Sequence, residues 1–385
     1  MKHTAILLSA FCLMILAGCA STTQKLVDNP NLHFADQAFP GFRQVEIESE
    51  EEVFALDDYM RDFVDKHTFR VEDPKQRIKK LVAGIFDRSH MNLLYVSDAN
   101  TSARDTFHNR SANCLSMSIM TYALADYAGM DVSFQDVQVP EFWTRRGGFS
   151  LMNGHINLRV MPRNEHNTTY VRKGGMEVDF DPMIFKVRFP SEGISKRRVL
   201  AMYYNNKAAD FLVRQNYAAA YAYVRSALVA EPNLSEAWVN LGVLYRHNEM
   251  LDEAEGVYNL AISINDNRSA QENLAFVYRM TGRDEQAEAI MAYLQTKRTS
   301  NPFYHYMLGQ EELDQKHYQD AIEHFREAIR LNRNQHEFYY ALAKTYYQMG
   351  DLVATERYLR LAKRRAIFDQ DEDRYQNKIN LLTQL

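Results

Sequence analysis

Ser111-Ala112-Asn113-Cys114-Leu115-Ser116-Met117-Ser118 is the stretch on which the reading of the N-terminal half depends. The run that Cys114 opens, 115–128, is apolar nearly all round and stops at Gly129. A helix apolar on every side is a buried one, and glycine is the usual residue just past a helix end. Cys114 therefore stands in the first turn of a buried helix. There it meets the positive end of the macrodipole and backbone N–H groups that have no partner in the helix. Both favour the thiolate, the nucleophilic form. The alternative use of such a cysteine is as a small buried hydrophobe.

The other two cysteines lie at the N-terminus. Behind Lys2 and His3, residues 5–16 form an apolar run too short for a membrane span, ending Leu16-Ala17-Gly18-Cys19. This ending resembles a bacterial lipobox. The resemblance implies loss of residues 1–18 and Cys12 with them, and lipidation of Cys19. Ala20 in place of an aspartate further implies an outer-membrane anchor facing the periplasm. Three acyl chains exceed the two-signal threshold for stable anchoring. Cys114 is then alone in an oxidising compartment, without a partner for an intrachain disulfide, and is either inert or kept for its chemistry.

The 385 residues suffice for two or three domains, and the 46% hydrophobic and 25% charged content is that of an ordinary globular protein. A net charge of −5 with no basic stripe gives no nucleic-acid signature. The chain has no P-loop, no dinucleotide fingerprint and no HExxH pair, so no cofactor or metal is expected. His90, His108 and His166 lack ligand spacing, and His247, His305, His317, His324 and His336 read as surface positions.

Along the chain, residues 19–45 read as a lipidated tether, since 21–41 has no sustained period. The acidic run 46–52 reads as the solvated first turn of a helix that continues through Val53, Phe54, Tyr59, Met60, Phe63 and Val64. Asp73-Pro74 is a helix start, and Ile78, Leu81, Val82, Ile85 and Phe86 share one face of that helix. Residues 92–96 are a short apolar segment and 97–110 a polar loop. After Gly129 the period changes. Residues 132–139 read as a strand closed by Pro140, then a loop over 141–150. In Asn153-Gly154-His155-Ile156-Asn157-Leu158-Arg159-Val160 the apolar residues face one way and His155, Asn157 and Arg159 the other. In Met176-Glu177-Val178-Asp179-Phe180-Asp181-Pro182 the acids share one side. A thiol nucleophile needs an imidazole base, and the imidazole needs an anion to hold its tautomer and its cation. Cys114, His155 and Asp179 supply these types in the order helix, strand, strand, with Asp181 one pleat on as the alternative carboxylate.

Asn113-Cys114-Leu115-Ser116, Asn153-Gly154-His155-Ile156-Asn157 and Val178-Asp179-Phe180-Asp181-Pro182 resemble the three motifs of the transglutaminase-like superfamily, over roughly residues 71–189. The resemblance implies an α+β papain-like domain, here 46–195, with Cys114 as nucleophile, His155 as general base and acid, and Asp179 as its orienter. It also implies chemistry on amide or acyl bonds: cleavage by water or transfer to an amine.

The second half is a repeat array. From Ser235, the residues Trp238, Leu241, Gly242, Tyr245, Ala254, Tyr258 and Ala261 match the tetratricopeptide pattern. The frame recurs from Ala201, Arg268, Pro302 and His336, at spacings of 34, 33, 34 and 34 residues. The expectation is five units over 201–368, forming an all-α superhelix closed by a capping helix at 369–385. Its concave face would hold a protein or peptide partner. Two functions follow: a lipid-anchored envelope thiol enzyme acting on protein or peptide substrates, or a non-catalytic scaffold whose first domain is silent.

Overall fold

The computed structural model describes residues 27–86, 91, 93–146, 149–162, 176–180, 189–366 and 369–382. Cys12, Cys19, His90, His166 and Asp181 lie outside the described residues, as does the lipobox reading.

A mixed N-terminal region precedes the helical array. Helices α1 (Glu50–Val53), α2 (Asp58–Thr68) and α3 (Pro74–Phe86) lead into β1 (Leu94–Tyr95), α4 (Ala103–Asn109) and β2 (Ser111–Ala112), with β1 and β2 paired in parallel. Then come α5 (Cys114–Tyr127), β3 (Met130–Arg146), β4 (Phe149–Pro162), β5 (Met176–Val178) and β6 (Ser191–Ile194). The last four strands form an antiparallel sheet in the order β5-β4-β3-β6. Helix α5 ends where Gly129 takes a left-handed φ of 73°, which costs glycine nothing. Ten of its side chains from Leu115 to Ala125 are buried, and the helix packs on β3 and β4. Ile156, Leu158 and Val160 on β4, with Phe134 and Val178 beside them, supply the sheet's share of that core.

The array follows as antiparallel helix pairs: α6 (Lys196–Val213) with α7 (Tyr217–Ala230), α8 (Ser235–His247) with α9 (Leu251–Asn265), and α10 (Arg268–Met280) with α11 (Asp284–Arg298). After them stand α12 (Pro302–Asp314) with α13 (Tyr318–Leu331), α14 (His336–Gln348) with α15 (Leu352–Lys363), and α16 (Asp369–Leu382). Four of the five sequence frames open on the first residue of a helix. The first unit instead opens at Lys196, five residues before Ala201, capped by Ser195. Within each pair a small residue lets the helices approach: a Cβ on Gly309 would stand 2.5 Å from the Phe325 ring.

Several local readings differ from what is observed. From residue 27 on, the stretch read as a tether is folded, with three 3-10 turns seated on the first two repeats. Phe39 stacks on Tyr221 with ring centroids 4.2 Å apart, Asp36 accepts from Tyr221 Oη at 2.8 Å, and Asn248 Nδ2 donates to the Ala38 carbonyl. Aromatic rings and hydroxyls belonging to the array, invisible to a local reading, hold this strap. In the acidic run Glu48 is half-buried rather than simply solvated: it accepts from Tyr203 and Tyr223 and pairs with Lys207. The polar loop contains α4, capped by Ser102. Strand β3 does not end at Pro140 but runs on to Arg146; the pairing shifts between Val137 and Phe142, and proline is tolerated in such a bulge because the ladder there needs no N–H. His336 is not a surface residue. It is 3% exposed and hydrogen-bonds Tyr375 Oη at 2.7 Å, joining α14 to the cap α16.

Candidate functional site

Cys114 is the first residue of α5, and the turn before it is built to hold it there. Asn113 is the N-cap, its Oδ1 accepting from Ser116 N at 2.9 Å, and its own N–H donates to the Ala99 carbonyl. Capping of this kind is worth about 0.5–2 kcal/mol. The Asn113 amide then donates to Asn100 Oδ1 at 2.5 Å, and the Asn100 amide to Asp210 Oδ2 at 2.6 Å. Thr101 N–H donates to Ser116 Oγ at 2.9 Å. Helix α6 of the first repeat thus reaches the cysteine's N-cap through two asparagines. Asn113 was legible as part of the cysteine motif; Asn100 and Asp210 were not, because nothing local ties them to position 113.

His155 comes from β4 and Asp179 from the residue after β5. Register sets both. Leu158 pairs with Val178, so the chain beyond Val178 runs back along β4 toward His155. Phe180 is buried against Phe86 of α3, ring centroids 5.1 Å apart, which fixes the residue before it. The result is a short pair: His155 Nε2 lies 2.9 Å from Asp179 Oδ1 and 3.1 Å from Oδ2, with the two residues 1% and 5% exposed. Asn157, on the same side of β4, donates to Glu177 at 2.5 Å.

Burial by itself lowers the pKa of His155, because a buried ring resists charge. The hydrogen bond that the ring donates to Asp179, its hydrogen bonding with Cys114 and the negative charge of both outweigh it and push the imidazole up to about 10. With Nε2 held by the carboxylate, service to the sulfur falls to the ring's other nitrogen, Nδ1. Cys114, His155 and Asp179, far apart in sequence, are therefore brought together. On β3, beside this pair, burial raises the carboxyl pKa of Asp136 while Arg198 opposes the rise and Glu236 adds to it.

Cys114 opens on a cleft of about 1130 Å³ whose near wall includes Asn113, Asp136 and Gly154 and whose far wall is formed by α6, α8, α10, α11 and α12. One further piece of the sheet region crosses to the array. Glu141 sits in the β3 bulge, where a side chain is turned out of the ladder. Its Oε2 lies 3.3 Å from Arg268 Nη1 and 3.5 Å from Arg298 Nε, and its carbonyl accepts from Asn301 at 2.7 Å. Arg298, 3% exposed, also binds Glu272 at 3.0 Å.

As for metals, the described residues hold one cluster, Glu312, His317 and Asp320, with one ligand atom each within 4.8 Å of one another. It lies where α12 meets α13, and His317 Nδ1 is engaged by Glu312 at 2.8 Å. It is remote in sequence from the triad.

The repeats match two family models, one described as a tetratricopeptide repeat over residues 205–269 and one as a TPR repeat over 309–350. The C-terminal half of the chain consists of tetratricopeptide repeats, an architecture that binds proteins or peptides. Among solved structures it is similar to Pseudomonas aeruginosa pilF, 23% identical over 45% of this chain and 79% of that one, with a TM-score of 0.27. It is also similar to YrrB, described as a TPR protein with an unusual peptide-binding site (16% identity, 46% and 92% covered, TM-score 0.25). A third is the Cut9 assembly with Hcn1 (16% identity, 47% and 36% covered, TM-score 0.28). These likenesses concern the repeat fold alone. No curated protein matches the chain.

Proposed function

We propose that this protein is a thiol enzyme of transglutaminase-like type that cleaves or transfers amide or acyl bonds of polypeptides, anchored by lipid at Cys19 to the bacterial outer membrane on its periplasmic side. The observation that carries the reading is His155, held by Asp179 on one nitrogen and electrostatically coupled to Cys114, which itself opens on a cleft walled by the tetratricopeptide repeats.

The chemistry follows from the proton's position. An imidazolium beside a sulfur stabilises the thiolate. The Cys114 sulfur attacks the substrate carbonyl, and the charge that develops on oxygen falls at the N-terminus of α5, where the Cys114 N–H is the nearest generic donor. His155 gives its proton to the departing amine as the C–N bond breaks, leaving a thioester. The neutral imidazole then takes a proton from the acceptor, water or an amine, as that acceptor attacks the thioester. The thiolate and imidazolium return together. Asp179 accepts no proton; it holds the ring's orientation and offsets its charge.

The test is to incubate envelope proteins with the native protein and with Cys114→Ser, then seek new termini or new isopeptide cross-links by mass spectrometry. One class, with the native protein only, is expected. Neither class would leave a lipid-anchored tetratricopeptide scaffold.

A further inference from the structure

We propose that Asp210, on α6 of the first repeat, is a positioning residue for the thiol. It acts through Asn100 on the carboxamide that caps the Cys114 helix, so the site is complete only while the first repeat is seated against it. The inference rests on the reading of Cys114 as nucleophile and adds a residue that acts on it from the array.

Asp210 is out of place as a repeat residue. Counted from the start of each sequence frame, the same position holds Leu244 in the second unit and Val277 in the third, both fully buried. Asp210 is itself only 9% exposed, and a carboxyl so placed is costly unless hydrogen bonds receive it. It reaches the loop between β1 and α4, where the Asn100 amide donates to Oδ2 at 2.6 Å. That loop is laced to the first turn of α5 on either side of Asn100. The Ala99 carbonyl accepts from Asn113 N at 3.1 Å, and Thr101 N donates to Ser116 Oγ at 2.9 Å. Asn100 is thus held between the cysteine's cap and the first repeat.

The series of bonds has one polarity. A backbone N–H can only donate, and a carboxylate can only accept. Between Ser116 N and Asp210, each carboxamide has a single orientation that makes every bond: oxygen toward Ser116, nitrogen toward Asp210. The bonds follow it, from Ser116 N to Asn113 Oδ1, from Asn113 Nδ2 to Asn100 Oδ1, and from Asn100 Nδ2 to Asp210 Oδ2. With no acceptor at position 210, Asn100 loses its anchor, Asn113 loses what fixes its nitrogen, and the cap loosens. The first-turn N–H groups that favour the thiolate are then no longer held in line with the sulfur. A negative charge lining the same cleft as Cys114 would by itself oppose a thiolate. What Asp210 does by position and what it does by charge therefore have opposite signs, and the two can be separated.

The experiment uses the full chain and two readouts: hydrogen exchange of the Ser116 amide, and the pH midpoint of Cys114 alkylation by iodoacetamide. Asp210→Ala is expected to speed Ser116 exchange about two- to thirty-fold, the range for a lost helix cap. It should also move the alkylation midpoint up by about 0.4–1.5 pH units, the same range on a pH scale. Asp210→Asn keeps an accepting oxygen and should stay near the native chain in both. Asn100→Ala breaks the same series without touching α6 and should reproduce Asp210→Ala, the double variant being no worse than either alone. Asp210→Asn behaving as Asp210→Ala, a midpoint that falls or stays, or additive effects in the double variant each overturns the proposal. The enzyme reading fails separately: there exchange and midpoint still follow position 210, but the midpoint in His155→Ala is that of the native chain.

Discussion

Replacing Asp179 with asparagine removes one charge from the candidate site while leaving its shape. The native carboxylate places both oxygens within 3.1 Å of His155 Nε2, at a ring only 1% exposed. A rise of the imidazole from 6.5 to about 10 corresponds to about 5 kcal/mol in favour of the cation. This is a net figure, in which burial opposes and Asp179 and Cys114 both contribute. An opposite charge in contact typically accounts for about 1–3 pH units of such a shift. The His155 midpoint in Asp179→Asn is therefore expected about 1–3 pH units below the native one. The assay is a proton NMR titration of protein labelled at histidine Cε1, with His155→Gln to assign the resonance. Linkage supplies a second readout. Because the folded ring binds its proton more tightly than the unfolded one, its stabilisation is complete below pH 6.5 and is lost as pH rises through about 10. The gap in urea midpoint between native and variant should be widest near pH 6 and close toward pH 10. A native midpoint at or below 6.5, or one that Asp179→Asn does not move, would refute the charge-pair account of the site.

Four further outcomes are expected. Asn113→Ala, which removes the cap of α5 and its link to Asn100, should cost about 0.5–2 kcal/mol in chemical denaturation and slow iodoacetamide labelling of Cys114; labelling at the native rate would show the cap to be structural only. Gly309→Val must drive the helix pair apart against Phe325 and should destabilise by about 1–3 kcal/mol, the usual range for overpacking, read from the thermal midpoint. Asp36 and Glu48 are each opposed by burial, yet Tyr221 and Arg225, and Tyr223 and Lys207, hold their carboxyls below the usual range. Their contribution is thus present above pH about 4 and lost as pH falls through the depressed values, so limited proteolysis should release residues 27–49 at pH 3 and spare them at pH 6. Tyr375→Phe removes the acceptor or donor of buried His336 and should cost about 1–3 kcal/mol, confined to exchange of amides in α14–α16.

The array was legible because its signal is periodic and repeated five times: the small residue at Gly242 and the large apolar one at Tyr258 recur in kind at one spacing, and the two meet between paired helices. The buried helix at Cys114 was legible because apolarity on all sides admits one reading, and the alternation around His155 correctly put it on the side of Asp179. What escaped depends on contacts across long stretches of chain. Residues 27–45 have no periodicity because tyrosines of the array, not their own neighbours, order them. The strand beyond Pro140 looked like a loop because its bulge suspends the alternation on which strand recognition rests. Asn100 and Asp210 carry no local mark of their link to the cysteine's cap.

Repeat arrays ordinarily behave as strings of units coupled only to their neighbours. Here one unbroken hydrophobic core runs from Phe39 through the sheet to Val277 in the third unit, whereas Leu313, Phe325 and Leu342 belong to a second cluster and Tyr339, Leu359 and Tyr375 to a third. The molecule should accordingly melt in two stages. Its distal units can fray and reclose as a spring does, while the thiol and the part of the facing wall on α6, α8 and α10 stay assembled as one block.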